Sequence, residues 1–211
     1  MALTVDRRIA ELLCSRICHE LVAGVAAVNN GVELISEIDS SAFDETMELI
    51  GSSAKQASAR VQYYRMAYGF AGHDALPSMA AVAALIAGLT AMEKRYSLDT
   101  PAGAPPAALA PGWGKLLLNL TVLAMDCLPR GGSVTPAVAA ADGRTVLSVV
   151  GRGEEARVPE RYNEVLKGAV SAGDVSAMNV HAFYTAALAE AAGGKLDAEI
   201  SGGTASLRVG V

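Results

Sequence analysis

Phe43, Met47, Ile50, Ala54, Ala57, Val61, Tyr64 and Tyr68 follow one another in alternating steps of four and three residues, without a miss. That spacing keeps every apolar side chain on one seam of an α-helix for about seven turns, which suits a helix that faces other helices. The preceding stretch is its counterpart. From Val5 to about Ile38 there is no proline, and Ile9, Leu12, Leu13, Ile17, Leu21, Val25, Val28, Val32 and Ile35 recur three to four apart, so the spacing predicts one long amphipathic helix. The polar break EIDSSAFDE offers Asp39, Ser40 or Ser41 as an N-cap ahead of Phe43, and Gly72, His73, Asp74 and Pro77 close the second helix. Two antiparallel helices alone cannot bury both stripes. A four-helix bundle made by dimerisation is the economical solution, and packing of both helices on the rest of their own chain is the alternative.

Beyond Pro77 the texture changes. SMAAVAALIAGLTAMEKRY reads as a helix, TPAGAPPAALAPG as an extended linker-like loop, and GWGKLLLNLTVLAMDCLP as a buried helix. The run GGSVTPAVAAADGRTVLSVVG alternates on both sides of Asp142-Gly143, a hairpin signal, and KLDAEISGGTASLRVGV makes a second hairpin turning at Gly202-Gly203. PERYNEVLKGA and SAMNVHAFYTAALAEAAGG read as helices. The expected class is α+β, with a helical hairpin over residues 1–73 and, over 74–211, a two-layer domain of antiparallel strands with helices on one face.

Composition removes several functions. The net charge is −5 and no Lys/Arg run stands out, so the footprint of a nucleic-acid binder is missing. No stretch approaches about 20 uninterrupted apolar residues, and MALTVDRRIAELL carries charges where a signal peptide needs an apolar run, so we expect no membrane span and a cytoplasmic location. The three cysteines, Cys14, Cys18 and Cys127, have no framework spacing and suit a reducing compartment.

Histidine 19 stands beside two of them in LLCSRICHELV. Haem attachment would need export and a loop, and a zinc site would need further ligands nearby. At about 100° per residue, Cys14 and Cys18 fall on or beside the apolar stripe and read as small packing residues, whereas His19 points roughly 160° from the stripe's centre. Arg16 one turn before it, and Ala23, Ala26 and Asn30 on the turns after it, are expected on the same face. Small side chains there would let another protein approach His19 closely, with Arg16 available to a negative group. Imidazole is a nucleophile at neutral pH, and the carboxylate of Glu20 could orient the ring or take a proton, or be an ordinary surface acid.

His19-Glu20-Leu21 on a long helix, followed by a second helix and an α+β region, resembles the phosphoacceptor box and two-domain plan of sensor histidine kinases. More closely, LLCSRICHELVAGVAAVNNGVELI, SSAKQASARVQYYRMAYG and GWGKLLLNLTVLAMDCLPRGG resemble the ChpT-type histidine phosphotransferases of alphaproteobacterial phosphorelays, over nearly the whole chain. The resemblance implies that the second domain is related to a kinase ATP-binding domain of α/β-sandwich form. Three departures from kinases follow from the alignment of motifs. The box N-L-x-x-N-A reads N-L-T-V-L-A, so Leu123 replaces the asparagine that helps hold magnesium, and leucine cannot coordinate a hard cation. The box D-x-G-x-G reads V-V-G-R-G, so Val149 stands for the adenine-reading acid while Gly151 and Gly153 persist. Where kinases carry glycines against phosphate, this chain has Asn179-Val180-His181-Ala182.

The resemblance therefore implies a dimeric phosphorelay intermediate without bound nucleotide or metal of its own. His19 would take a phosphoryl group from the aspartate of one response-regulator receiver domain, including that of a hybrid histidine kinase, and pass it to another. The receivers would supply the magnesium. An active kinase core and an inert scaffold for receivers are the rival readings. His181 is expected to pack or lie on the surface, and His73 has no catalytic neighbours.

Overall fold

The computed structural model describes residues 7–37, 39, 42–70, 78–100, 111–141 and 144–211. Two long helices come first, α1 (Arg7–Ile35) and α2 (Phe43–Ala67), packed along each other as a hairpin. They approach closely because α1 carries Gly24 and Gly31 on the facing side. A Cβ added at Gly24 would lie 3.1 Å from that of Ala57, and one added at Gly31 would strike Ile50. Helix α2 starts at Phe43 as the pattern predicts, with Ala42 at the N-cap and no side-chain cap; Ser40 and Ser41 lie outside the described residues. So do Gly72, His73, Asp74 and Pro77, most of the proline-rich linker, and the Asp142-Gly143 turn.

The second part is a mixed five-stranded sheet covered by helices. After α3 (Met79–Met92) come β1 (Tyr96–Leu98), α4 (Trp113–Asp126), β2 (Gly132–Ala141), β3 (Arg144–Arg152), a 3-10 turn at Glu160–Tyr162, the single-turn α5 (Asn163–Leu166), a second 3-10 turn at Ala172–Asp174, α6 (Val180–Ala191), β4 (Leu196–Ser201) and β5 (Thr204–Gly210). The sheet order is β1-β2-β3-β5-β4. Both expected hairpin pairings are present, Ala141 facing Arg144 and Ser201 facing Thr204.

Two expectations are corrected. The predicted helix ending in EKRY stops at Met92; its last residue, Tyr96, opens strand β1, which pairs parallel to β2, Tyr96 opposite Gly132, so the sheet is not purely antiparallel. A three-residue strand is too short to show a period of two. The segment PERYNEVLKGA forms a 3-10 turn and one turn of helix rather than a continuous helix. Gly131 and Gly132 of the LPRGG run explain why two glycines stand there. Both have positive φ, 84° and 143°, and a Cβ on either would strike the carbonyl of Arg95 or of Arg152.

The strands turn one face inward: Val134 and Val138, Leu147 and Val149, Leu207 and Val209 are buried beneath α4. Helix α4 is buried on nearly every side. The same core continues without a break into the C-terminal turns of α2, where Tyr63, Tyr64, Met66 and Ala67 are buried. The Tyr63 hydroxyl donates to the carbonyl of Leu118 at 2.7 Å inside that seam. Among the described residues no helix is long and apolar enough to cross a membrane.

Candidate functional site

Helix α1 presents three kinds of side. One packs on α2 through Gly24 and Gly31; another is apolar yet uncovered, with Val22, Val25 and Val32 each more than half exposed. His19 lies between that uncovered strip and Arg16. Its ring is exposed, and Ala23, Ala26 and Asn30 beyond it are exposed as well. The small, uncrowded approach expected from the spacing is present in the geometry. Cys14 and Cys18 differ from expectation: both thiols are exposed in the single chain, because the apolar strip they border is not covered by α2. Cys127 is buried, which pushes its thiol up to about 12.

Arg16 also departs from the expected placement. Its side chain is only 17% exposed and turns into the joint between the hairpin and the sheet domain, where Nη2 stands 3.8 Å from Oδ2 of Asp126. Three residues on a helix leave about 60° of divergence, enough to send Arg16 inward while His19 stays outward. Burial acts to lower the pKa of the guanidinium; Tyr68, Asp126, Tyr162 and Glu20 more than offset it, so Arg16 is raised and stays charged.

Glu20 is half-buried on the same inner side. With Arg16, Tyr64, Glu93, Tyr96 and Asp126 it lines a polar cavity of about 100 Å³. No hydrogen bond or ion pair joins it to His19 among the described residues, as adjacent helix positions do not face each other. A groove of about 690 Å³ adjoins this cavity, sharing Arg95, Tyr96, Met125 and Asp126 and extending to Arg157, Arg161 and the exposed Met178.

The polar residues that organise this joint were not singled out by the sequence. The Asp126 carboxylate accepts from the hydroxyl of Tyr162 and has Arg161 at 4.0 Å on its other oxygen. The Tyr68 hydroxyl lies 2.7 Å from Nδ1 of His181, and Nε2 of His181 lies 3.2 Å from the carbonyl oxygen of Asn119. A carbonyl only accepts, so Nε2 carries the ring proton and Nδ1 accepts from Tyr68. Burial pushes Tyr68 up to about 12, against the pull of the Arg16 guanidinium. Asn119 donates through Nδ2 to the carbonyls of Ala67 and Lys115, both at 2.8 Å. His181 is thus a fully buried packing residue within a hydrogen-bonded chain, one of the two placements expected for it.

Most of the positions aligned in the sequence with the nucleotide boxes of kinases lie in the core. Leu123 is 2% exposed, and Val149, Val180, His181 and Ala182 have no exposed surface. Gly151 and Gly153 receive the side chain of Leu128, whose Cδ1 and Cδ2 would lie 3.1 and 3.4 Å from added Cβ atoms. Among the described residues no three His, Cys, Asp or Glu side chains come together as a metal site.

A helical hairpin joined to a mixed-sheet domain, with His19 exposed on the hairpin's outer face, is compatible with a phosphotransfer protein of the two-component class. Comparison with known proteins agrees. Residues 79–204 match the family model of the histidine phosphotransferase C-terminal domain. The protein phosphotransferase ChpT of Brucella abortus is 35% identical over 185 residues, which cover 88% of this chain and 87% of that protein. A solved bacterial phosphotransferase superposes with a TM-score of 0.83 at 30% identity, covering 99% of this chain and 98% of the other. The chain belongs to the histidine phosphotransferase family. It shuttles phosphoryl groups in a two-component phosphorelay and is not an ATP-dependent kinase.

Proposed function

We propose that His19 is the phosphoacceptor, and that a receiver domain docks over it on Ala23, Ala26 and Asn30. The exposure of His19 among small side chains is the observation that carries this reading. The Nε2 lone pair attacks the phosphorus of an aspartyl phosphate in line; the N–P bond forms as the O–P bond breaks, and the aspartate leaves as its anion. Nδ1 keeps the ring proton throughout. A second receiver reverses these steps to take the group onward. The receivers, one of them from a hybrid histidine kinase, bring the magnesium and the acidic pocket, so this chain supplies an exposed, oriented imidazole and a complementary surface. Glu20, one residue away on the inner side, is the candidate for orienting the ring or taking up a proton.

The chain acts as a homodimer in this reading, in the cytoplasm. Val22, Val25 and Val32 on α1 and Phe43, Met47 and Val61 on α2 are 44–62% exposed in the single chain, and a second copy would cover these strips in a four-helix bundle. Residues 74–211 form the second unit, related to a kinase ATP-binding domain whose nucleotide contacts are gone. Its groove at Arg157, Arg161 and Met178 adds a contact surface that helps choose the receiver.

Label carried from a phosphorylated receiver to wild-type protein but not to His19→Gln supports the reading; equal labelling of both sinks it. Labelled ATP with magnesium should leave the pure protein unlabelled. A monomeric mass at micromolar concentration would remove the bundle.

A further inference from the structure

Helix α1 is fastened to the sheet domain at two arginines. Arg8 donates through Nε and Nη2 to the carbonyl of Val175, at 3.3 and 3.0 Å. Eight residues on, about 12 Å along the axis, Arg16 meets Asp126 from one side and Tyr68 from another. Each of these partners is itself held. Asp126 accepts from Tyr162, a residue only 1% exposed, and Tyr68 belongs to the His181–Asn119 chain.

His19 comes three residues after the second fastening. Packing of Gly24 and Gly31 on α2 restrains the later turns of α1, and the two arginine ties restrain the turns before His19, so a local roll of the turn that carries His19 must break the Arg16 tie. Roll matters here because an imidazole roughly 7 Å from the helix axis moves about 1 Å for a roll of about 10°. In-line attack tolerates little of that, since a misplacement of about 1 Å can cost about 100-fold in rate.

We propose that Arg16 is a positioning residue for phosphoryl transfer: backed by Asp126 and Tyr162, it fixes the roll of α1 that sets the direction of the His19 imidazole. The proposal rests on His19 being the phosphoacceptor. It gives the sheet domain a task distinct from touching the receiver, namely holding the helix that carries the reactive group. Asp126 and Tyr162 act through Arg16 and need no contact with the transferred group.

The test is single-turnover transfer from an isolated receiver domain phosphorylated with acetyl phosphate, followed over receiver concentration and counted per folded molecule. Wild type that takes no label refutes the phosphoacceptor reading itself. With wild type labelled, Arg16→Met and Asp126→Asn are expected to lower the saturating rate about tenfold or more, with the half-saturating concentration unchanged within about twofold. The double variant should be no slower than the worse single one, because both break one linkage. Arg16→Lys should recover part of the rate. Tyr162→Phe removes only the buried hydroxyl that donates to Asp126, out of reach of a docked receiver, and should lower the saturating rate in the same sense. If Arg16→Met does not fold, Asp126→Asn and Tyr162→Phe carry the test. Saturating rates within about twofold of wild type in the folded variants would overturn the proposal. So would a loss confined to the half-saturating concentration, which would make Arg16 a docking residue.

Discussion

His181 should make the fold sensitive to mild acid. Its ring has no exposed surface and both nitrogens are engaged, Nε2 donating to Asn119 and Nδ1 accepting from Tyr68. Burial first, and the Arg16 charge second, lower its pKa from 6.5 to about 3, with the Asn119 carbonyl pulling the other way. Between those values the unfolded chain binds a proton that the folded chain does not. The stability contributed by this group is therefore complete above the unfolded pKa and is lost as pH falls through 6.5 toward 3. From about pH 7 to about pH 5.5 the loss integrates to about 1.3 kcal/mol. Urea unfolding at the two pH values measures it in wild type and in His181→Gln, a residue that can still donate to Asn119 and accept from Tyr68. Other titrating groups are common to both proteins, so the difference of differences isolates His181. Wild type should lose about 1.3 kcal/mol more than the variant on acidification. Equal losses would show that the ring is not held neutral, and would undo the tautomer assigned to it.

Gly31→Ala should destabilise by about 1–3 kcal/mol, seen as a lower urea midpoint at constant slope, because its methyl group meets Ile50. Gly51→Ala in α2 meets nothing within 4 Å and should stabilise by about 0.5–1 kcal/mol in the same assay. Tyr63→Phe removes the hydroxyl's bond to the Leu118 carbonyl, which keeps its bond within α4, and should cost about 1 kcal/mol by urea unfolding. In native protein at neutral pH Cys127, pushed up to about 12 by burial, should stay unmodified by a thiol reagent until unfolding, while Cys14 and Cys18, exposed in the single chain, should react faster as dilution dissociates the dimer; mass spectrometry of peptides reads the outcome.

His19 was legible from the sequence because its outward direction follows from helical geometry alone, and that geometry needs only the local spacing of apolar residues. Both hairpin pairings of the sheet were legible for the same reason, from alternation and turn residues. Strand β1 was not, since its three residues take their identity from Gly132–Val134 across the sheet. Arg16 lies at the limit of the method. Its position on the helix was correct, but a long side chain follows the strongest partner in reach, and that partner, Asp126, lies 110 residues away in sequence. The Tyr68–His181–Asn119 chain joins the end of α2, α6 and α4 and has no local signature, so His181 read only as a packing or surface residue.

Gly151 and Gly153 show how a motif can outlast the reason for which it is usually read. Taken alone, their spacing resembles a nucleotide loop. In the structure Leu128, itself fully buried, occupies the space above both, and Gly153 also lies against the carbonyl of Gly131. The glycines are needed so that the end of α4 can close on β3, and that contact holds Asp126 and Cys127, the two residues before Leu128, in place. From Asp126 the linkage runs through Arg16 to the turn that carries His19. Glycine spacing that resembles an adenine-reading box therefore serves here to seat the end of α4, from which Asp126 meets Arg16 on the helix that carries His19.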